Sequence, residues 1–186
     1  MVKLIIIDNY DSFTYNLVHY LEPYCQEITI FRNDEINHDL ITNNHKILLS
    51  PGPGLPKENK MLMNTIKRYH LSNDIFGVCL GFQAIGQFFG AELHNLEKVR
   101  HGIQTKLEIL NHDFLFKNVP NNIKIGHYHS WVIKNIPTQL NVTALDFENY
   151  AMAFKHSELK ISGIQFHPES ILTDYGEKIL QNWIIS

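Results

Sequence analysis

The chain has 186 residues, enough for about one domain of typical size. Hydrophobic residues make up 44% and charged residues 19%, which excludes disordered and fibrous classes. The net charge of −3 argues against nucleic-acid binding, because neutralising phosphates requires a basic surface. The early apolar run Leu4–Ile7 is too short for a membrane span or a signal peptide, so we expect neither.

The first half of the chain alternates buried strands with helical patterns. We predict strands at Val2–Asp8, Glu27–Phe31, Lys46–Leu49 and Ile75–Cys79. Helical spacing relates Phe13, Leu17 and Leu21, then Leu62, Ile66 and Tyr69 within Lys57–Leu71, and resumes at Phe82–Phe89. This alternation predicts an open, mostly parallel, twisted sheet with helices on both faces.

The second half changes to strands joined by short turns. We predict strands at Ile103–Leu110, Ile123–Val132, Val142–Asp146, Ala151–Phe154 and Ile161–Phe166, and a closing helix at Tyr175–Ile185. We expect these strands to be antiparallel additions at one side of the sheet. No repeat or linker interrupts the chain, so we expect a single α/β domain over residues 1–186.

Cys79 is the candidate nucleophile. Gly77-Val78-Cys79-Leu80-Gly81 places a cysteine between two glycines where a strand meets a helix, as in a nucleophile elbow. The turn is crowded, and side chains two residues before or after Cys79 would clash. The helix directs its positive end at the sulfur, which favours the thiolate, and the Leu80 N–H points to where an oxyanion would form.

The other cysteine, Cys25, lies outside any such motif, and we interpret it as structural. Two cysteines form no disulfide framework and no Cys-x-x-Cys pair. We therefore expect a cytoplasmic protein with free thiols, without a cofactor.

A second motif, Ser50-Pro51-Gly52-Pro53-Gly54, follows the strand Lys46–Leu49. Loops at the carboxyl ends of neighbouring parallel strands share one crevice, so this loop and Cys79 are expected to face each other. The prolines have no N–H, which leaves Gly52 or Gly54 as the backbone donor. A rigid surface turn would give the same residues.

The third motif ends a strand in His167-Pro168-Glu169. Pro168 disfavours helix at His167, and in an extended segment residues two apart point the same way. Glu169 is then placed to orient the His167 imidazole as the base for a Cys79 thiolate. The alternative is a strand-end histidine beside an exposed glutamate.

Three other activities remain open from the residues. His127, His129 and His167 could bind one metal ion in a hydrolase, although the elbow would then be unexplained. A cysteine peptidase or related hydrolase on a similar sheet would use the same nucleophile and base. A catalytically silent binding module is the third possibility.

Four blocks together resemble the class I, triad-type glutamine amidotransferases over nearly the whole chain. The blocks are Asp8–Leu17, Ser50–Gly54, Gly77–Gln83 and Gly163–Ser170. The opening block narrows the resemblance to the amidotransferase subunits of chorismate-using enzymes, namely anthranilate synthase component II and its aminodeoxychorismate synthase counterpart. Trp131 and the opening block resemble the former somewhat more.

The resemblance implies roles for individual residues. Cys79 would form a glutamyl thioester, with His167 as base and Glu169 completing the triad, and Gly52 and Leu80 would form the oxyanion hole. L-glutamine would bind between these groups and the residues Gly52, Pro53, Gly54, Gln83, Ser130 and Trp131. No metal is implied.

Released ammonia would be protonated and lost in water, so the resemblance also implies a chorismate-using synthase partner. The coupling segment is expected to comprise Asp8, Asn9, Tyr10, Asp11 and Ser12. Asp11 or Ser12 capping the following helix is the simpler interpretation.

The sequence departs from the family pattern at Phe82, where histidine is usual, at Ile103, where lysine is common, and at His127, where arginine is common. Phe82 puts local packing in doubt. The other two put partner docking in doubt.

Overall fold

The computed structural model describes residues 2–186 as an α/β fold. In chain order the elements are β1 (Val2–Asp8), α1 (Thr14–Leu21), β2 (Cys25–Arg32), β3 (His45–Leu49), α2 (Lys60–Tyr69), β4 (Asp74–Val78), α3 (Leu80–Phe88), β5 (Glu92–Lys106), β6 (Glu108–Ile109), β7 (Lys124–Lys134), β8 (Leu140–Leu145), β9 (Ala151–His156), β10 (Ile161–Ile164) and α4 (Gly176–Ile184). Among them, no helix combines the length and apolar character needed to traverse a lipid bilayer.

The main sheet has eight strands in the order β2-β1-β3-β4-β10-β9-β8-β6. The five strands from β2 to β10 run parallel, and β9, β8 and β6 continue the sheet antiparallel at one side. The predicted mostly parallel sheet with antiparallel additions is therefore confirmed, except that β10, expected among the additions, runs parallel to β4 within the sheet.

Helices cover both faces of this sheet, as predicted. Side chains of β1 alternate between two cores because successive residues of a strand point to opposite faces. Leu4 and Ile6 pack on the side of α1 and α4, whereas Ile5 and Ile7 pack on the side of α2 and α3. Each helix contributes an apolar stripe, including Leu17, Leu21, Ile179 and Trp183 on one side and Leu62, Ile66, Tyr69 and Ile85 on the other.

One part of the second half differs from the prediction. β5 begins at Glu92 rather than near Ile103, and it pairs with β7 in a separate two-stranded sheet, which we call the ribbon. Most side chains of β5 are exposed, so the segment lacks the apolar alternation that marks a half-buried strand.

Two helix starts also differ. Phe13 precedes α1 and is 44% exposed, so it does not share the buried face of Leu17 and Leu21. α2 begins at Lys60 rather than Lys57, because Asn59 caps it by accepting the Leu62 N–H at 3.0 Å.

Candidate active site

Cys79 lies at the junction between β4 and α3, in the backbone geometry of a nucleophile elbow. Its φ of 50° falls in the left-handed region, which is uncommon for a residue with a side chain. A Cβ on Gly77 would lie 2.5 Å from the backbone carbon of Gly81, and a Cβ on Gly81 would collide with the Leu49 carbonyl. The predicted crowding on both sides of Cys79 is confirmed.

His167 and Glu169 form a buried pair next to Cys79. His167 Nδ1 lies 2.6 Å from Glu169 Oε1, and both side chains are almost fully buried. The predicted contact is present, but its geometric reason was wrong. Pro168 and Glu169 lie in a turn beyond the end of β10, and this turn, rather than extended backbone, brings the carboxylate back to the imidazole.

The protonation of His167 is set by competing effects. Burial lowers the pKa of the imidazole, but the negative charge at the Cys79 sulfur and the hydrogen bond and charge of Glu169 outweigh it. The result is a His167 pKa well above the ordinary 6.5, which favours an imidazolium at neutral pH. Because Glu169 holds His167 Nδ1, Nε2 is the ring nitrogen left for proton transfer at Cys79.

A cavity of about 360 Å³ opens beside the Cys79 sulfur. It is lined by every residue that the resemblance implied for glutamine binding and for the oxyanion hole: Gly52, Pro53, Gly54, Leu80, Gln83, Ser130 and Trp131. Cys79 also lines it, and the N-terminus of α3 points there through Leu80. The structure thus brings together β3, β4 and the ribbon around one cavity.

Gln83 connects α3 to two other segments that surround this cavity. Its Nε2 donates to the Trp131 carbonyl at 2.8 Å and to Gln165 Oε1 at 3.1 Å. The amide nitrogen is therefore committed to the protein, and only its oxygen can serve a ligand. Gln165 in turn donates to Cys79 Sγ at 3.6 Å.

Several residues of the site were not predicted. Gln165 contacts the sulfur, and its position within the block Gly163–Ser170 was the available signal. Tyr128 packs its ring edge-on to His167 at 5.0 Å and pairs its hydroxyl with Ser170. Val99 and His101 line the cavity from β5. Nothing in the sequence indicated them, because its pattern did not predict a strand at these residues.

The predicted coupling segment divides into buried and exposed residues. Asn9 is buried, Tyr10 and Ser12 are exposed, and Asp8 and Asp11 are half-buried. Asp11 lies near the triad: burial raises the pKa of its carboxyl, and the charges of His167 and Glu169 act on it in opposite directions.

The capping interpretation of this segment is wrong in detail. The N-cap of α1 is Phe13, which makes no side-chain cap hydrogen bond. Asp11 Oδ2 instead accepts the Phe13 N–H at 2.8 Å, and Asp8 Oδ1 accepts the Thr14 hydroxyl at 2.8 Å. These carboxylates fold the segment into a turn before the helix begins.

The departures from the family pattern occupy distinct places. Phe82 is fully buried and stacks on Phe154 with ring centroids 4.4 Å apart. Ile103 is 43% exposed on β5. His127 is buried, with Nδ1 2.9 Å from His129 Nε2 and Nε2 2.7 Å from Thr105 Oγ1.

The metal-ion alternative finds no matching geometry in the part of the chain from residue 2 to residue 186. No group of three or more His, Cys, Asp or Glu side chains there is arranged to bind an ion. His127 and His129 are hydrogen-bonded to each other instead.

Comparison with known proteins gives the family. A sequence profile described as "Glutamine amidotransferase class-I" matches residues 5–186. The chain belongs to the class I glutamine amidotransferase family. The "Aminodeoxychorismate/anthranilate synthase component 2" of Bacillus subtilis is 41% identical over 97% of this chain and 95% of its own length. The "Anthranilate synthase component 2" of Pseudomonas aeruginosa is 40% identical over 97% and 94%, respectively.

Solved structures have the same architecture. A Thermoplasma acidophilum protein, described as "a putative gmp synthase subunit a protein", superposes with a TM-score of 0.88 at 26% identity and covers 99% of this chain and 92% of that chain. A glutamine amidotransferase from Thermotoga maritima gives a TM-score of 0.72 at 16% identity, over 99% and 81% of the two chains, which supports the fold alone.

Proposed function

We propose that this protein is the glutamine-hydrolysing subunit of anthranilate synthase. The observation that carries the proposal is the convergence of Cys79, His167 and Glu169 at a cavity lined by the implied glutamine-binding residues. Residues 1–186 would act as one amidotransferase domain and deliver ammonia to a chorismate-using synthase subunit for tryptophan biosynthesis.

The proposed reaction begins with attack of the Cys79 thiolate on the side-chain amide carbon of L-glutamine. A C–S bond forms and the carbonyl oxygen becomes an oxyanion, which the Gly52 and Leu80 N–H groups would stabilise. As the C–N bond breaks, His167 gives its proton to the departing nitrogen, and ammonia leaves. Glu169 holds the imidazole in position throughout.

Water then hydrolyses the glutamyl thioester. His167, now neutral, takes a proton from the water as it attacks the carbonyl carbon. The C–S bond breaks, glutamate leaves, and Cys79 returns to the thiolate. The buried triad and small cavity suit a short zwitterionic substrate, which needs a few fixed polar groups.

Ammonia released into water would be protonated and lost to synthesis, so the proposal requires a partner. Tyr10 and Ser12 are the exposed residues of the coupling segment, with Asp8 and Asp11 half-buried. Burial raises the pKa of the Asp11 carboxyl, and the charge of His167 lowers it. These residues are the proposed contacts with the synthase subunit.

The test separates the two chemical steps in the complex. Cys79→Ala should abolish glutamine-dependent synthesis of the aromatic amine and leave ammonia-dependent synthesis within about twofold of wild type. Both rates are measured with the same partner, and circular dichroism checks folding. Loss of both activities in a folded variant would contradict the role of Cys79.

The second candidate is the amidotransferase subunit of 4-amino-4-deoxychorismate synthase, or a subunit shared by both enzymes. The name of the Bacillus subtilis relative, which joins the two activities, favours this candidate. Co-purification with each synthase, followed by product analysis, decides between them. A peptide-substrate screen tests the remaining cysteine-hydrolase alternative.

A further inference from the structure

Ser50 links the start of the coupling segment to the Gly52 loop. Its Oγ accepts the Asn9 N–H at 2.8 Å, and its hydroxyl donates to the Pro51 carbonyl at 2.6 Å. The Asn9 side chain adds a second bond, with Nδ2 donating to the Ser50 carbonyl at 2.8 Å. Both side chains are buried, so water does not compete for these groups.

The bond to Pro51 fixes the direction of the next N–H. In a planar trans peptide the carbonyl oxygen and the amide hydrogen point in opposite directions, and residues 2–186 contain no cis peptide. Because the Ser50 hydroxyl holds the Pro51 oxygen, the Gly52 N–H points away from Ser50. It has no hydrogen-bond partner among residues 2–186, and Gly52 lines the cavity.

Packing fixes the path of the loop and leaves the rotation of the Pro51–Gly52 peptide plane to be set by the Ser50 hydroxyl. A Cβ on Gly52 would collide with the Asn9 carbonyl, so the two backbones are in direct contact. Asn9 is itself immobilised, since its Oδ1 accepts from Asn33 Nδ2 at 3.1 Å and from Asn59 Nδ2 at 3.3 Å. The hydroxyl of Ser50 thus orients one peptide in a loop that is already held by its contact with Asn9.

We propose that Ser50 is a positioning residue for glutamine hydrolysis: its hydroxyl holds the Pro51–Gly52 peptide plane so that the Gly52 N–H faces the cavity. This inference rests on the proposed function. Without the hydroxyl, the Pro51 oxygen loses its partner and the peptide can rotate, which removes one of two oxyanion donors. Ser50 is not among the residues that line the cavity.

The test compares turnover with a reaction of Cys79 that forms no oxyanion. The full chain with its synthase partner is assayed for kcat and KM toward glutamine, and Cys79 is alkylated with iodoacetamide, a displacement at a saturated carbon. Ser50→Ala should lower kcat by roughly ten- to a hundredfold, somewhat less than removal of a whole oxyanion donor. KM and the alkylation rate should stay within about threefold of wild type.

Matched variants separate positioning from general damage. Ser50→Thr keeps the hydroxyl and should recover most of the lost kcat. Ser162→Ala removes another buried serine hydroxyl, on β10, and should leave kcat unchanged. If Ser50→Ala does not fold, Asn9→Ala is measured instead; it removes the bond to the Ser50 carbonyl and should lower kcat several-fold at unchanged KM.

Two results would overturn the proposal. One is a folded Ser50→Ala, or in its place Asn9→Ala, with the kcat of wild type. The other is alkylation of Cys79 that slows in parallel with kcat, which would indicate a disordered nucleophile. Absence of glutamine hydrolysis by the wild-type complex is a different failure, because it would overturn the proposed function itself.

Discussion

Two buried groups of histidines in this molecule differ in charge although both are shielded from water. In the triad, burial lowers the pKa of His167, but Cys79 and Glu169 more than compensate and raise it well above 6.5. In the ribbon, burial lowers the pKa of His127 to about 4, and the charge of Arg100 adds to the effect.

The pKa of His129 is lowered in the same way as that of His127. Burial, with the neighbouring His127 and Arg100, lowers its pKa to about 3. Burial lowers the pKa of all three histidines, and only at His167 do nearby negative charges outweigh it. The negative charges beside His167 make it a proton carrier, whereas burial, with the charge of Arg100 adding to it, keeps the ribbon histidines neutral as hydrogen-bonding groups.

The largest expected loss of activity follows replacement of the triad histidine. His167→Asn removes the proton carrier and should slow glutamine-dependent thioester formation by about 10³-fold or more. Single-turnover release of ammonia measures the rate. The matched change His127→Asn, at a buried histidine that does not line the cavity, should affect thioester formation far less, and equal losses in the two variants would contradict the assignment of His167 as base.

A smaller loss of activity is expected when the carboxylate beside His167 is removed, and it tests what raises the His167 pKa. Glu169→Gln keeps a hydrogen-bond acceptor near Nδ1 but removes one of the negative charges that raise the His167 pKa. We expect turnover to fall by about 10²-fold, less than for His167→Asn, because an orienting group contributes less than the group it orients.

The pH dependence of the same variant gives an independent check. The His167 pKa, followed by NMR titration of the imidazole, should decrease in Glu169→Gln. An unchanged pKa would mean that the Cys79 sulfur alone sustains the imidazolium.

The smallest effect concerns stability and tests the ribbon. The pKa of His127 is about 4 in the folded protein and about 6.5 in the unfolded chain, so the unfolded chain binds more protons between these values. Folding stability should therefore fall as the pH drops from about 6.5 toward 4. The contribution of His127 is about 2.5 kcal/mol by pH 4.5.

Urea unfolding at pH 7 and pH 4.5 measures this contribution. His127→Gln cannot be protonated and should lose less stability on acidification than wild type, whereas the exposed His19→Gln should lose as much as wild type. The triad has the opposite sign: the raised pKa of His167 stabilises the fold below pH 6.5, and this stabilisation is lost as the pH rises through its folded pKa. If all three proteins lose the same stability between pH 7 and pH 4.5, His127 is not the cause of the acid destabilisation.

Much of the site was predictable because its residues lie in short, unusual motifs. Gly77–Gly81, Ser50–Gly54 and His167–Glu169 each follow a strand of the parallel sheet, and parallel strands bring their carboxyl ends to one edge. The need for glycine on either side of Cys79 could be inferred from the crowding of the backbone alone. Neither inference needed a three-dimensional contact.

Other features depended on contacts distant in sequence. Asn9 looked like part of an accessible coupling segment, but its amide is buried between Ser50, Asn33 and Asn59. β5 went unrecognised over most of its length because its exposed polar side chains carry no hydrophobic alternation. Its pairing with β7 supplies Val99 and His101 to the cavity.

The sequence by itself determined the parallel sheet, the candidate nucleophile and the residues expected to act with it, because periodicity and glycine-framed motifs are local properties of the chain. Only the tertiary structure decided which polar groups are buried together, and thereby the charge of each histidine and the direction of the Gly52 N–H. Charge state and peptide orientation depend on neighbours within a few ångströms, and those neighbours come from segments far apart in the chain.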